Sequence, residues 1–154
     1  MNDDEAELRR RNRAAVAKYL RSGVRDRRNR YTLYTEEGTA SLCYADLGRP
    51  VTIRGRDRLR RHDEVALRLL PDWRWYDVEF FDTQNPDLLW VECEGEGRVL
   101  WPGRPARHYR NHFVHRFTLE NGRIASSHEF ANPLDHMRSL IIEPPHVTRD
   151  WLPP

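Results

Sequence analysis

Lysine is almost missing from this 154-residue chain: of its 26 basic residues only Lys18 is a lysine, and the other 25 are arginines. Covalent imine catalysis by the protein needs a lysine amine, and Lys18 falls in a charged N-terminal stretch, so that class of mechanism is set aside. Cysteine is scarce as well. Cys43 and Cys93 have no metal-like spacing and are expected to be small buried residues. No run approaches 18 apolar residues, and the N-terminus is acidic rather than basic then apolar. Neither a membrane span nor a signal peptide is expected, and the expectation is a cytoplasmic chain with no membrane partner. A glycine-rich phosphate loop is lacking too, since Gly95-Glu96-Gly97 is surrounded by acids inside a strand-like run. So is a Gly-x-Ser-x-Gly elbow. Ser126 and Ser127 precede His128, but neighbours on a strand point to opposite faces, which argues against a nucleophilic hydrolase.

Charge of one sign is the last absence. Charged residues are 32% of the chain, yet the net charge is +2. The arginine-rich run Arg56 to Arg61 sits in a helical pattern and reads as a solvated helix face, so no nucleic-acid partner is expected. What is present is a globular composition, 38% hydrophobic and 10% aromatic, in a length that suits one domain over 1–154. Residues 1–6 and 143–154 are expected to be peripheral.

Asp3 to Arg21 is predicted to be a helix, with acids in its first turn, Leu8, Asn12, Ala15, Val16, Tyr19 and Leu20 on one stripe, and Gly23 after it. A second helix is predicted over Asp26 to Tyr34, a strand over Thr39 to Tyr44, a turn at Asp46 to Pro50 and a short strand at Val51 to Ile53. Arg56 to Leu70 forms a third helix, ended by Pro71 and Asp72, with Leu59, His62, Val65, Ala66 and Leu69 on one side. The pattern then changes to long strands: Trp73 to Phe81, Leu88 to Leu100, Arg107 to Leu119 and Arg123 to Ala131. Asn121-Gly122 is the strongest turn signal and joins the last two as a tight hairpin. A short helix over Pro133 to Leu140 and a proline-rich tail follow. Helices first and antiparallel strands after them argue for α+β, a curved sheet around the N-terminal helices with one ligand cup per protomer.

Seven histidines raise the question of a metal. His108 and His112 share a strand face but stand roughly 13 Å apart at the strand rise, and His115 lies on the other face, so no metal is expected. His62 lies on the apolar side of its helix, where a hydrogen-bonded core residue and a catalytic imidazole are both open readings. Glu129 comes late in a strand of small and apolar residues. Turned inward it would be held protonated by burial, as a general acid requires; turned outward it is surface decoration. A strict two-residue hairpin places Glu129 opposite Val114, and one bulge reverses that. Arg30, before Tyr31 and Tyr34, is either solvated or turned inward to hold a carboxylate by a forked pair of hydrogen bonds.

Several segments carry a resemblance. Leu8 to Arg13, Pro71 to Tyr76, Trp90 to Gly95, Asn111 to His115, Leu119 to Ile124, Glu129 to Asn132 and Arg149 to Pro153 closely resemble, in order and spacing, the PhzA/PhzB family of phenazine-biosynthesis proteins. The resemblance implies a cone fold of the nuclear-transport-factor-like or ketosteroid-isomerase-like kind, a homodimer and no cofactor. It also implies a condensing enzyme that joins two molecules of an aminocyclohexenone carboxylate head to tail through two imines, with a paralogous or pathway protein as a further possible partner. Such a substrate brings its own amine. By the same resemblance Glu129 and His62 are the catalytic pair, with Arg30, Tyr109, Trp73 and Ala66 against the substrate. Ala66 departs from the pattern: active relatives carry a serine there, one helical turn after the histidine. Paralogues that keep the fold but lack part of this set are catalytically poor, which keeps a binding or assembly subunit open as the alternative.

Overall fold

The computed structural model describes residues 3–44 and 49–144. Within them the order is α1 (Asp3–Tyr19), α2 (Val24–Arg28), a 3-10 turn (Arg30–Leu33), β1 (Tyr34–Leu42), β2 (Val51–Arg54), α3 (Arg56–Leu69), β3 (Arg74–Asp82), β4 (Leu88–Val99), β5 (Arg107–Glu120), β6 (Arg123–Ala131) and α4 (Pro133–Ser139). The strands form one open, mixed sheet in the order β2-β1-β6-β5-β4-β3. Every pairing is antiparallel except β1 with β6. Part of the turn at Asp46 to Pro50 and the tail motif Arg149 to Pro153 lie outside the described residues.

Strand alternation decides what faces inward. Along β5 Tyr109, Asn111, Phe113, His115, Phe117 and Leu119 are buried, and along β4 Leu89, Val91, Cys93 and Val99 are buried. Helix α1 lays Ala15, Val16 and Tyr19 on this concave face, continued by Leu20 just beyond its end. Fully burying side chains such as Phe117, Ile124, Val16 and Val91 contributes about 1.5–3 kcal/mol each. Asn12 ties α1 to the β3–β4 turn, its Nδ2 donating to the Pro86 carbonyl and to Asp87 Oδ1, both at 2.9 Å. At Gly95 a Cβ would lie 2.4 Å from the Trp73 ring and 2.8 Å from that of Trp75. Glycine there lets two indoles pack directly on the sheet, and those indoles become a wall of the cavity described below.

Two predicted elements are corrected. The helix expected over Asp26 to Tyr34 ends at Arg28. Asn29 competes for the helical carbonyl of Arg25 with its own Nδ2, at 3.0 Å. The Tyr31 amide donates instead to Asp63 Oδ2 on α3, at 2.9 Å. Strand β1 starts at Tyr34 rather than Thr39, because Tyr34 already pairs with Ile124 across an irregularity. Gly38 permits that irregularity: a Cβ on it would stand 2.9 Å from Tyr34 Cβ.

The hairpin turn forms as expected, with Asn121 at φ 52° and Gly122 at φ 77°. It is followed by a bulge. Leu119 pairs with Ile124 but Thr118 with Ser126, so Ala125 is the extra residue. The one-residue shift puts Glu129 opposite His115 rather than Val114 and turns its carboxyl into the concave side.

Candidate functional site

The concave side holds a cavity of about 220 Å³ between the sheet, α3 and α4. Glu129, His62, Arg30, Tyr109, Trp73 and Ala66 all line it, although they come from β6, α3, the 3-10 turn, β5 and the α3–β3 connection. One wall is a run of rings. Tyr109 meets Trp73 at 5.4 Å between centroids and Trp73 meets Trp75 at 5.4 Å; behind this wall Trp75 meets His115 at 5.1 Å. Tyr19 follows, 6.2 Å from His115, and carries the Arg30 guanidinium 4.6 Å above its ring.

Glu129 is largely enclosed, with 18% of its side chain exposed. Burial raises its pKa above the usual carboxylate range, against the opposing pull of the Tyr44 hydroxyl and of Arg30. Tyr44 O–H donates to Oε1 at 2.9 Å, while Oε2 stands 4.0 Å from His115 Nδ1.

Arg30 brings positive charge without a counterpart. Its Nε and Nη2 are buried with no hydrogen-bond partner, and it makes no ion pair among the described residues. A forked donor held over an aromatic ring and left unpaired suits a planar anion such as a carboxylate.

His62 stands on the rim rather than in the interior. Its residue surface is exposed, while its inner side lines the cavity. Crowding by protein atoms and then the nearby Arg30 charge lower its pKa, so the imidazole is a neutral proton acceptor near pH 7. Ala66, one turn along α3, presents only a methyl group to the same space.

Three lining residues escaped the sequence reading. Asp63 is 7% exposed, and burial raises its pKa to about 6 despite Arg30 and the Tyr31 amide. The signal was present: Leu59, Asp63 and Ala66 follow the spacing of an inward helix stripe. Tyr44, expected as the last residue of a strand, lies just past the end of β1 at Leu42, and His136 on α4 reaches the cavity beside Tyr44, Tyr109 and Trp101. Among the described residues no group of three metal-ligating side chains converges. His108 and His112 lie outside, beside Glu96 and beside Glu92 and Glu94, and His115 lies inside.

Asp63 carries a stability prediction. An acid whose pKa is raised on folding binds protons more tightly when folded, so its contribution is favourable below about pH 4 and is lost as pH rises towards 6. Asparagine keeps an acceptor for the Tyr31 amide and removes the buried charge. Asp63→Asn is expected to stabilise the chain at pH 7.5 by about 2–3 kcal/mol and to flatten the dependence of Tm on pH between 4 and 6, read by calorimetry.

An open mixed sheet packed with helices is the fold of SnoaL-like proteins. A crystal structure of a putative SnoaL-like polyketide cyclase from Jannaschia sp. CCS1 matches it at TM-score 0.68 and 17% identity, covering 87% of this chain and 94% of that one. The family match is more specific. A family model described as phenazine biosynthesis protein A/B matches residues 1–154, so the chain belongs to that family. Phenazine biosynthesis protein PhzB of Pseudomonas fluorescens is 43% identical over 150 residues, 97% of this chain and 93% of the relative. The crystal structure of a phenazine biosynthesis-related protein (phzb2) from Pseudomonas aeruginosa superposes at TM-score 0.94 with 41% identity, covering 99% of both chains. Among the described residues no helix is long and apolar enough to cross a membrane.

Proposed function

We propose that the protein acts in phenazine biosynthesis by assisting two molecules of an aminocyclohexenone carboxylate to condense head to tail, forming imines and releasing water. One observation carries this reading. A largely enclosed carboxyl whose pKa is raised by burial, an imidazole whose pKa is lowered, and a guanidinium with two buried, unpartnered nitrogens, from three separate elements, border one cavity. Arg30 holds a substrate carboxylate and thereby sets the ring against the aromatic wall of Trp73 and Tyr109. His62 takes a proton from the attacking ammonium and frees its lone pair to add to the partner's carbonyl carbon. Glu129 gives its proton to the carbonyl oxygen to make the carbinolamine hydroxyl and recovers one from the nitrogen. Giving that proton to the hydroxyl lets it leave as water as the C=N bond forms, and the last nitrogen proton returns to Glu129. No protein amine enters. Holding two reactants together supplies much of the gain over the uncatalysed reaction.

Ala66 favours a second reading, a ligand-binding or assembly subunit, because no hydroxyl stands beside His62 on that turn. Purified chain and purified aminoketone separate the two. Acceleration of tricycle formation that falls at least tenfold in His62→Leu supports the enzyme. Ligand binding with no acceleration, and activity restored only by adding a paralogue that carries the serine, supports the subunit.

The outer sheet face fits a second copy of the chain. Phe81 pairs with Trp90 across β3 and β4, Trp90 stacks with Phe130 at 6.3 Å, and Phe81 and Phe130 are 43% and 39% exposed. Sedimentation equilibrium at micromolar concentration is expected to give twice the chain mass, and Phe130→Asp is expected to give monomer; monomer mass for the parent removes the dimer.

A further inference from the structure

His115 is the most enclosed polar residue beside the site, and the proposed chemistry does not use it. It is 0% exposed, stacks between Phe113 and Phe117 at 6.0 and 5.7 Å, and meets Tyr19 and Trp75 edge-on. Among the described residues neither ring nitrogen has a hydrogen-bond partner. A buried polar atom left unpaired costs about 1–3 kcal/mol, and two on one side chain in the tightest part of the core call for a reason. The register supplies one. His115 is the cross-strand partner of Glu129, and its Nδ1 stands 4.0 Å from Oε2. Tyr44 donates to Oε1. That bond leaves Oε2 as the oxygen to carry the acid proton, on the side facing His115.

We infer that His115 is a positioning residue for Glu129: a permanently neutral imidazole whose Nδ1, once a small rotation of the carboxyl closes the 4.0 Å gap, accepts the hydrogen bond of Oε2–H and holds the acid protonated between turnovers. An acceptor for the neutral form raises a carboxyl's pKa, whereas a cationic imidazole would lower it. Burial first, and then the Arg30 charge, lower the His115 pKa to about 3, so the ring does not compete for the proton. The other groups that face the pair are Tyr19 on α1, Arg30 on the 3-10 turn, Cys43 and Tyr44 after β1, Cys93 on β4 and Tyr109 on β5. The tyrosines and cysteines are neutral at pH 7. Arg30 is the single cation among them, and it opposes protonation of Glu129.

The inference rests on the proposed acid role of Glu129 for its catalytic meaning, but its test does not. The probe is the free protein, and the readout is the infrared absorption of the protonated carboxyl against pH, assigned by subtracting Glu129→Gln. His115→Phe keeps the ring stack and removes the acceptor, and the midpoint is expected to fall by about one pH unit, a tenfold change in the protonation equilibrium. His115→Asn can place its amide oxygen where Nδ1 stood and is expected to hold the midpoint near that of the parent. His115→Gln places it where Nε2 stood and is expected to behave like Phe. An unchanged midpoint in a folded Phe variant overturns the inference. If the Phe variant does not fold, equal midpoints in the Asn and Gln variants overturn it. A shifted midpoint in a chain that accelerates no condensation sinks the enzymatic reading and leaves the role of His115 standing.

Discussion

Glu129→Gln is expected to lower the rate of imine formation by about 10²–10⁴-fold while leaving the affinity for the aminoketone within threefold. Glutamine keeps the shape of the side chain and keeps an acceptor for the Tyr44 hydroxyl, so the cavity is preserved. What it removes is an acidic group on the concave face whose pKa burial holds above that of an ordinary carboxylate. Because the carboxyl must be protonated to act, the rate of the parent is expected to fall as pH rises through the raised pKa. The residual activity of the Gln variant is expected to lose that alkaline limb. Stopped-flow formation of the tricycle between pH 5 and 9 checks both. A Gln variant with the parent's rate and pH profile removes Glu129 from the chemistry.

Arg30→Met is expected to move two measurements in opposite directions. Binding of the carboxylate substrate weakens by about 100-fold, since a charge-assisted forked pair in a closed site is lost. Thermal stability of the free protein rises, because methionine removes a buried cation whose Nε and Nη2 have no partner, a penalty of about 1–3 kcal/mol. The stacking of the guanidinium over Tyr19 at 4.6 Å offsets part of that penalty and is replaced by sulfur–aromatic contact. Isothermal titration with the substrate carboxylate, beside calorimetric unfolding of the free chain, reads the two effects. Loss of stability together with unchanged affinity would show that Arg30 is structural. Arg30→Lys is expected to rescue little, as a point charge does not reproduce the fork.

The two variants also separate binding from chemistry. In the proposed reading, substrate positioning rests on Arg30 and the Trp73–Tyr109 wall, and proton transfer on Glu129 and His62. Asp63 links them, since the carboxylate that accepts from the Tyr31 amide also fixes the turn on which Arg30 rides.

How far local rules reach is visible in β4 and β5. Both were legible as long strands, and a fixed period of two put His108 and His112 on one face and His115 on the other, as the structure has them. The helix stripes of α1 and α3, the Asn121-Gly122 turn and the terminating Pro71 were legible for the same kind of reason. Resemblance in the Trp-containing segments then named the family and the residues Glu129, His62, Arg30, Tyr109 and Trp73. Sequence alone left the facing of Glu129 open. A bulge at Ala125 is a choice made by packing across β1, β5 and β6, and nothing at position 125 announces it.

The break after Arg28 has the same origin, since the Tyr31 amide finds its acceptor 32 residues away on Asp63. So does the pairing of Glu129 with Tyr44 and His115, which are 85 and 14 residues distant. Composition, periodicity and turn residues thus determined most of the elements, the inward stripe of α1 and the scarcity of lysine. Tertiary structure alone decided the strand register, the enclosure that raises the Glu129 pKa and the lack, among the described residues, of a hydrogen-bond partner for Arg30 Nε and Nη2. The physical reason is that burial and desolvation depend on every neighbour in space, whereas local conformation depends on a few neighbours along the chain.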